Sequence, residues 1–242
     1  MISFAPMTSP TPSLLRADAV FHRASAAGEL RGVSVAIEPG RFTLLSGPPG
    51  SGAGLLLRIL GLLDRPDAGE VWFESRPTGA FDDAARLDLR NRAFGFVFAE
   101  PFLLDSFSVA ENVAMPLFKI SGAGIEQARI RTGQVLDFAG LAGAADCPVA
   151  ELSVLDHHKL SLARALANAP RILIAEDAGL QLPPRDLGEF AALLRAAACR
   201  LGVSVIATSP ASPDLFGPDR EIRIERGAVV ADTDPVPVVA HD

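Results

Sequence analysis

The fold of this chain can be inferred from eight consecutive residues, Gly47-Pro48-Pro49-Gly50-Ser51-Gly52-Ala53-Gly54. Gly47 and Gly52 have the spacing of the phosphate-binding pattern G-x-x-x-x-G-K-[ST], in which a glycine loop opens a helix. The pattern continues with a lysine that reaches the phosphates and a hydroxyl residue that binds Mg²⁺, but Ala53 and Gly54 stand in those places. The sequence therefore predicts the backbone of a phosphate-binding loop without its two reactive side chains.

The residues on both sides of this loop predict an α/β protein. Residues 42–46 form an apolar run that predicts a buried strand, and residues 54–63 predict a leucine-rich helix, which is the order that the pattern requires. Strand and helix patterns alternate along the chain, as in proteins with a mostly parallel core sheet. The helical patterns between about residues 100 and 158 predict an inserted helical subdomain, with breaks at Pro116 and at residues 122–124.

Composition argues against several classes of function. The chain has 242 residues, a formal net charge of −7 and no basic run, which argues against nucleic acid as a partner. Lys119 and Lys159 are the only lysines, and both are far from the glycine loop in sequence. Cys147 and Cys199 lack the spacing of metal ligands and predict reduced thiols in a cytosolic protein.

A single domain is expected between residues 13 and 228. Residues 1–12 have no basic segment followed by an apolar one, so they predict a disordered tail rather than a signal peptide. Residues 229–242 predict a flexible C-terminal tail. Arg58 and Asp64 interrupt the most apolar run, which is too short to span a membrane. A role at a membrane would therefore require another subunit that holds this chain there.

Several segments match one protein family in order. The chain resembles the ATP-binding-cassette (ABC) ATPases, most closely the short ATPases of the lipoprotein-releasing and macrolide-export type. The resemblance implies a P-loop NTPase fold, in which a mostly parallel core sheet carries an N-terminal antiparallel β subdomain and an inserted helical subdomain. The matching segments are Leu60-Gly61-Leu62-Leu63-Asp64-Arg65-Pro66-Asp67-Ala68-Gly69, Leu89-Arg90-Asn91-Arg92, Phe94-Gly95-Phe96-Val97-Phe98, Glu111-Asn112-Val113-Ala114-Met115-Pro116-Leu117 and Leu162-Ala163-Arg164-Ala165-Leu166-Ala167.

The resemblance also implies a role for each phosphate-facing residue. Residues 47–54 correspond to the loop that binds ATP in the family. Ser153 lies in residues 152–156, where the family has the signature L-S-G-G-Q, and is the implied phosphate contact. Glu176 is the implied Mg²⁺ ligand and Asp177 the implied catalytic carboxylate that polarises the attacking water, although the family has this acidic pair in the reverse order.

Other motif positions depart from the family. Ala99 stands where a glutamine contacts Mg²⁺ and the attacking water, and Ser209 stands where the family has a switch histidine. Val154 and Leu155 replace signature glycines, which let the γ-phosphate approach bare backbone. The loss of one positioned donor costs on the order of 10²–10³ in rate. We therefore expect the chain alone to be catalytically inactive, and ATP and Mg²⁺ to bind weakly or not at all.

Two further expectations concern side chains beside these motifs. The adenine-stacking aromatic of the family would fall at Ala24 or Ser25, and since the chain has no tyrosine, Phe21 is the candidate substitute, although it reads as a strand residue. The three consecutive residues that follow the signature are predicted to be basic, solvated residues on the surface of a helix. These are His157, His158 and Lys159.

Three functions remain open. The first is a pseudo-ATPase, a cytoplasmic subunit that docks on a membrane permease at the inner face of the cell membrane and acts structurally or regulatorily. The second is a subunit that hydrolyses ATP slowly as a heterodimer with an intact partner, since the family forms head-to-tail homodimers and heterodimers. The third is a soluble protein that binds another anion in the same cleft. The residues that correspond to the family's permease groove, most of which are expected to be core, are Phe102, Leu103, Leu104, Val113, Met115 and Leu117.

Overall fold

Two β-sheets organise the protein, a computed structural model that describes residues 13–25, 28–177, 179–209 and 213–234. Strands β2-β1-β4-β5 form an antiparallel sheet, and strands β10-β9-β3-β8-β7-β6 form the core sheet, in which every pair except β9 and β10 is parallel. In chain order the strands are β1 (Leu15–Ser25), β2 (Gly28–Ile37), β3 (Phe42–Ser46), β4 (Ala68–Phe73), β5 (Arg76–Pro77), β6 (Phe94–Val97), β7 (Ile172–Ala175), β8 (Ser204–Thr208), β9 (Arg220–Glu225) and β10 (Ala228–Asp232).

Helices cover both faces of the core sheet. A π-helical segment, Leu117–Ser121, follows the third of them, and two 3₁₀ turns, Ala142–Ala144 and Val149–Glu151, precede the fifth. No helix in the described ranges is long and apolar enough to cross a membrane. The α-helices are α1 (Ala53–Leu60), α2 (Asp83–Ala93), α3 (Val109–Pro116), α4 (Ile125–Ala139), α5 (Val154–Leu166), α6 (Pro184–Leu201) and α7 (Pro213–Phe216).

Side chains at the helix N-termini explain where several helices begin. The Asp82 carboxylate accepts a hydrogen bond from the Ala85 N–H (2.8 Å) at the start of α2. Ser108 and Glu111 form a capping box at the start of α3. Helix α1 differs, because it has no side-chain cap and follows the glycine loop directly.

The predicted breaks in the helical subdomain are confirmed. Helix α3 ends at Pro116, whose missing N–H interrupts the regular α-helical hydrogen bonds. The π-helical segment follows and ends at Gly122, which has φ 61°, a conformation that glycine adopts without strain. Helix α4 then begins at Ile125.

The alternation of side chains along the core strands builds two apolar clusters. In β7, Ile172 and Ile174 pack into the cluster that contains α1, whereas Leu173 and Ala175 pack into the cluster that contains α5 and α6. Because consecutive side chains of a strand point to opposite faces, a fully apolar strand is buried on both sides. The predicted α/β fold, with its core sheet, antiparallel subdomain and helical subdomain, is confirmed.

Paired strands lie near both ends of the domain. Strands β1 and β2 are paired from Leu15–Ile37 to Ser25–Gly28. Register shifts along this pair accommodate the irregular sequence. Strand β10 pairs with β9 as far as Asp232, past the predicted end of the domain at residue 228. Residues 1–12 and 235–242 of the two predicted tails lie outside the described residues.

The parallel strands bring the predicted site together. Strands β3, β7 and β8 run in the same direction, so their carboxyl ends meet at one edge of the sheet. Gly47 follows β3, Glu176 follows β7 and Ser209 follows β8. Ligands of open α/β sheets bind at this edge.

Two neighbouring glycines have opposite structural requirements. Gly52 has φ 100°, and a Cβ there would lie 2.4 Å from the Glu29 carbonyl oxygen. Gly54 lies in α1, and a Cβ there would meet no atom within 4 Å. We expect Gly52→Ala to lower the free energy of unfolding by roughly 1–3 kcal/mol through strain, and Gly54→Ala to raise it by about 0.5–1 kcal/mol.

Urea unfolding of the wild type and the two variants, followed by circular dichroism, measures both changes. Equal effects of the two substitutions would contradict the backbone conformation described for this loop.

Candidate functional site

The glycine loop is held from both sides by backbone groups. On one side, a Cβ on Gly28 would lie 2.5 Å from the Gly50 carbonyl oxygen, so β2 approaches the loop as closely as two backbones allow. On the other side, the Gly227 N–H donates to the Ser51 carbonyl oxygen (2.9 Å), and the Ser51 N–H donates to Pro48 (2.9 Å). Backbone contacts within the protein therefore hold the conformation of the loop.

A cavity of about 520 Å³ opens above this loop. It is lined by ten of the eleven predicted site residues, namely Gly47, Pro48, Pro49, Gly50, Ser51, Gly52, Ala53, Gly54, Glu176 and Asp177. Other residues that were not predicted as site residues also line it, among them Arg58, Leu180 and Thr208. The roles predicted for the acidic pair and the loop remain predictions.

The charges in the cavity differ from those of the phosphate-binding pattern. Ala53 is buried at the place of the pattern's lysine. Both lysines of the chain are elsewhere, since Lys119 lies in the π-helical segment and Lys159 pairs with Glu189 on α6. Among the described residues that line the cavity, the charged ones are Arg58, Glu176 and Asp177.

Arg58 reaches the acidic pair from helix α1. Its Nη1 lies 3.3 Å from Oε2 of Glu176, and its Nε donates to Oδ2 of Asp64 at 2.7 Å. The two charges that interrupt the apolar run of the sequence therefore pair with each other. Arg58 is the only charged residue of α1, whose other residues are mostly buried and apolar, and this contrast could have marked it as a candidate site residue.

The two carboxylates have different surroundings. Burial raises the pKa of Glu176, although the guanidinium of Arg58 partly opposes this shift. Asp177 has φ 46°, in the left-handed region that aspartate tolerates better than most residues. Its N–H donates to the Thr208 hydroxyl (2.9 Å), and that hydroxyl donates to Oδ1 of Asp177 (3.3 Å). Thr208 thus orients the residue that was predicted as catalytic.

The signature segment lies apart from this cavity. Ser153 does not line it, and its hydroxyl caps α5 by accepting the N–H of Asp156 (3.1 Å) and donating to that residue's carboxylate (2.7 Å). The Val154 side chain is exposed next to it. The hydroxyl of Ser153 is therefore engaged at the start of α5, and its predicted phosphate contact stays a prediction.

The expectation that the next three residues are solvated is wrong. His158 is 0% exposed, and its ring lies 5.5 Å from that of Phe190 on α6. His157 contacts the Val149 carbonyl oxygen through Nε2 (2.9 Å), and Lys159 pairs with Glu189. Helix α5 packs between α3, α4 and α6, so several of its faces are covered.

Other predicted positions fall at the margins of the site. Ala99 is half-buried after β6 and does not line the cavity, whereas Ser209 does line it. Phe21 is exposed in β1. Side chains at the alternative stacking positions, Ala24 and Ser25, lie outside what the structure describes.

Known proteins resemble this chain in sequence. The profile of the ABC transporter family matches residues 30–178. The lipoprotein-releasing system ATP-binding protein LolD of Paramagnetospirillum magneticum is 37% identical over 203 residues, which cover 83% of this chain and 88% of that protein. LolD of Anaeromyxobacter dehalogenans is 35% identical over 205 residues, which cover 84% and 85% respectively.

A solved structure agrees with these relatives. The ATP-binding cassette MJ0796, described as a dimer in a post-hydrolysis state bound to ADP and Pi, superposes with a TM-score of 0.79. The two chains are 26% identical, and the match covers 93% of this chain and 100% of that one.

The buried histidine predicts a loss of stability in acid. Both ring nitrogens of His158 lack a hydrogen-bond partner within the described residues. Burial lowers its pKa, and the neighbouring His157 lowers it further. Because the folded-state pKa lies below the unfolded value of about 6.5, stability is complete above that value and is lost as the pH falls.

The His158→Leu variant lacks the imidazole that would take up a proton in acid. We subtract the free energy of unfolding of the wild type from that of the variant at each pH. This difference should be larger at about pH 5.5 than at about pH 8, because only the wild type loses stability in acid through His158. Urea unfolding at both pH values measures the difference. Parallel pH dependences of the two proteins would show that His158 does not titrate as its burial implies.

Proposed function

Because the chain belongs to the ABC transporter family of ATP-binding subunits, we propose that it is a degenerate member that docks on a membrane permease and hydrolyses ATP weakly or not at all. Its LolD relatives are named as ATP-binding proteins of a lipoprotein-releasing system. A permease of that type is the proposed partner. The proposed place of the chain is the cytoplasmic face of the membrane.

The observation that carries this proposal is the loss of side chains that act on phosphate in an otherwise intact loop. Ala53 and Gly54 open α1 and line the cavity, but they offer neither an ammonium group nor a hydroxyl group. Catalysis of phosphoryl transfer depends almost entirely on positioning and on electrostatic stabilisation of the transferred group. Without these groups the loop can still favour an anion through its backbone, but it has little with which to stabilise the transition state.

Arg58 adds to this argument. The family's acidic residue at this place is proposed to hold Mg²⁺, whereas Glu176 here faces a guanidinium at 3.3 Å. The Arg58 side chain is itself held by Asp64. A fixed cation beside the carboxylate opposes the binding of a second cation there.

An exposed aromatic residue supports docking on a permease. Phe102 is 61% exposed, while Val113 and Leu117 from the same predicted groove are buried core residues. The Phe102 backbone has φ 47°, and Arg164 donates to its carbonyl oxygen (2.7 Å) and to that of Pro101 (2.6 Å). A large apolar side chain on a backbone fixed in this way is suited to bind a partner.

The turnover prediction concerns the isolated chain. We expect its Mg²⁺-dependent release of phosphate from ATP to equal that of Asp177→Asn, because both proteins lack the groups that stabilise the transferred phosphoryl group. A phosphate-release assay on the two proteins, purified side by side, measures this. A wild-type rate tenfold or more above the variant's rate would contradict the weak or absent hydrolysis that is proposed.

The docking prediction concerns Phe102. We expect Phe102→Asp to weaken capture by co-expressed permease subunits of a lipoprotein-releasing system by about tenfold or more. The substitution would place a charge where the aromatic ring is proposed to be buried against the permease. Val230→Asp is the matched control, since Val230 is 54% exposed on strand β10. Equal capture of the two variants, or no capture of the wild type, would reject this docking site.

A second candidate is slow hydrolysis in a heterodimer with an intact partner. It is favoured by the position of Ser153, which is exposed at the start of α5 and outside the cavity of its own chain. The solved relative MJ0796 is described as a dimer, and in such a dimer Ser153 could meet the loop of a second cassette. Hydrolysis by the mixed complex that is lost on mutation of the partner's loop lysine would support this candidate.

A further inference from the structure

We propose that Arg58 is a built-in counter-cation for Glu176, so that the glycine-loop cavity binds a nucleotide di- or triphosphate without a divalent metal ion. The inference rests on the proposed function in one respect, namely that this cavity is an anion site. It goes beyond that function because it assigns the positive charge that such a site requires.

The side chains around the cavity do not fit the Mg²⁺ that the family implies. Mg²⁺ requires oxygen ligands in near-octahedral geometry, and Gly54 supplies no side-chain oxygen. Of the two carboxylates in the lining, Glu176 is paired with Arg58, and Asp177 accepts a hydrogen bond from Thr208. Within the described residues, no group of three or more His, Cys, Asp or Glu side chains could hold a metal ion.

Arg58 is held in a fixed position at the cavity. Asp64 accepts hydrogen bonds from its Nε (2.7 Å) and its Nη2 (3.3 Å), which orients the planar guanidinium. Its Nη1 donates to Glu176 at 3.3 Å. These contacts use three of the five N–H donors of an arginine. The side chain is 37% exposed and lines the cavity, so the guanidinium is accessible to a ligand.

A phosphate group in this cavity would need a positive charge beside Glu176. Glu176 and Asp177 both line the cavity, and their carboxylates would both repel a phosphate group. A guanidinium beside Glu176 offsets one of the two negative charges. The N-terminus of α1, which follows the loop without a side-chain cap, then favours the anion.

Calorimetry with ATP on the full chain tests this proposal. We expect the wild type to bind ATP in EDTA within about twofold of its affinity in Mg²⁺, and Arg58→Ala to bind about tenfold more weakly in EDTA, the usual effect of losing a charge-assisted contact. Arg58→Lys keeps a cation and should recover part of the loss. Arg92→Ala is the matched control, because Arg92 forms an exposed ion pair with Asp88 on α2.

The ratio of the two dissociation constants separates this role from a purely structural one. Without Arg58, the Glu176 carboxylate is free for Mg²⁺, so Mg²⁺ should restore part of the binding that Arg58→Ala loses in EDTA. A residue that only stabilises the fold would change the melting temperature and leave the ratio of affinities in EDTA and Mg²⁺ unchanged. Glu176→Gln provides a second test if Arg58→Ala does not fold. It removes the charge that Arg58 offsets, so ATP should bind in EDTA at least as tightly as to the wild type.

Several outcomes would overturn the inference. These are wild-type binding that is tenfold or more tighter in Mg²⁺ than in EDTA, no binding in either buffer at about 5 mM ATP, and an Arg58→Ala variant with the wild-type ratio. None of them bears on turnover or on capture by a permease. The proposed subunit role is refuted separately, by efficient Mg²⁺-dependent hydrolysis or by failure to dock.

Discussion

Three backbone segments approach one another closely at the glycine loop, and this packing positions the other parts of the site. Strand β2 meets the loop at Gly28 and Glu29, and the turn between β9 and β10 meets it at Gly227. A Cβ on Gly52 would lie 2.4 Å from the carbonyl oxygen of Glu29 in β2. The contact joins the antiparallel sheet to the core sheet and places the start of α1 over the edge where β3, β7 and β8 end.

This constraint explains how the loop persists without the side chains that bind phosphate. Its shape is set by hydrogen bonds and close contacts within the protein, whereas Ala53 and Gly54 contribute no polar side-chain contact to it. The backbone conformation of the loop therefore does not depend on the side chains that would bind phosphate. An intact fold does not by itself imply an active site, and in this protein the charged residues among the described ones that line the cavity are Arg58, Glu176 and Asp177.

Much of the site could be predicted because its residues are close in sequence to strand ends. The loop, Glu176 and Asp177 each follow an apolar strand, and parallel strands bring their carboxyl ends together. Thr208 and Arg58 could not be assigned in this way. Thr208 is the last residue of a buried strand, and its contact with Asp177 depends on the unusual backbone of that aspartate. The burial of His158 likewise depends on helix α6 packing against α5, which no local pattern in the sequence indicates.

The fold, the position of the loop and the side chains that the loop lacks follow from the amino-acid sequence, because apolar periodicity and glycine spacing are local properties of the chain. Which charges meet depends on how the chain packs in three dimensions. Arg58 and Glu176 are 118 residues apart in sequence and lie 3.3 Å apart in space. The reason is physical: an ion pair forms wherever folding brings two side chains within a few ångströms, and that distance depends on how α1 packs against the core sheet rather than on either residue's neighbours in sequence.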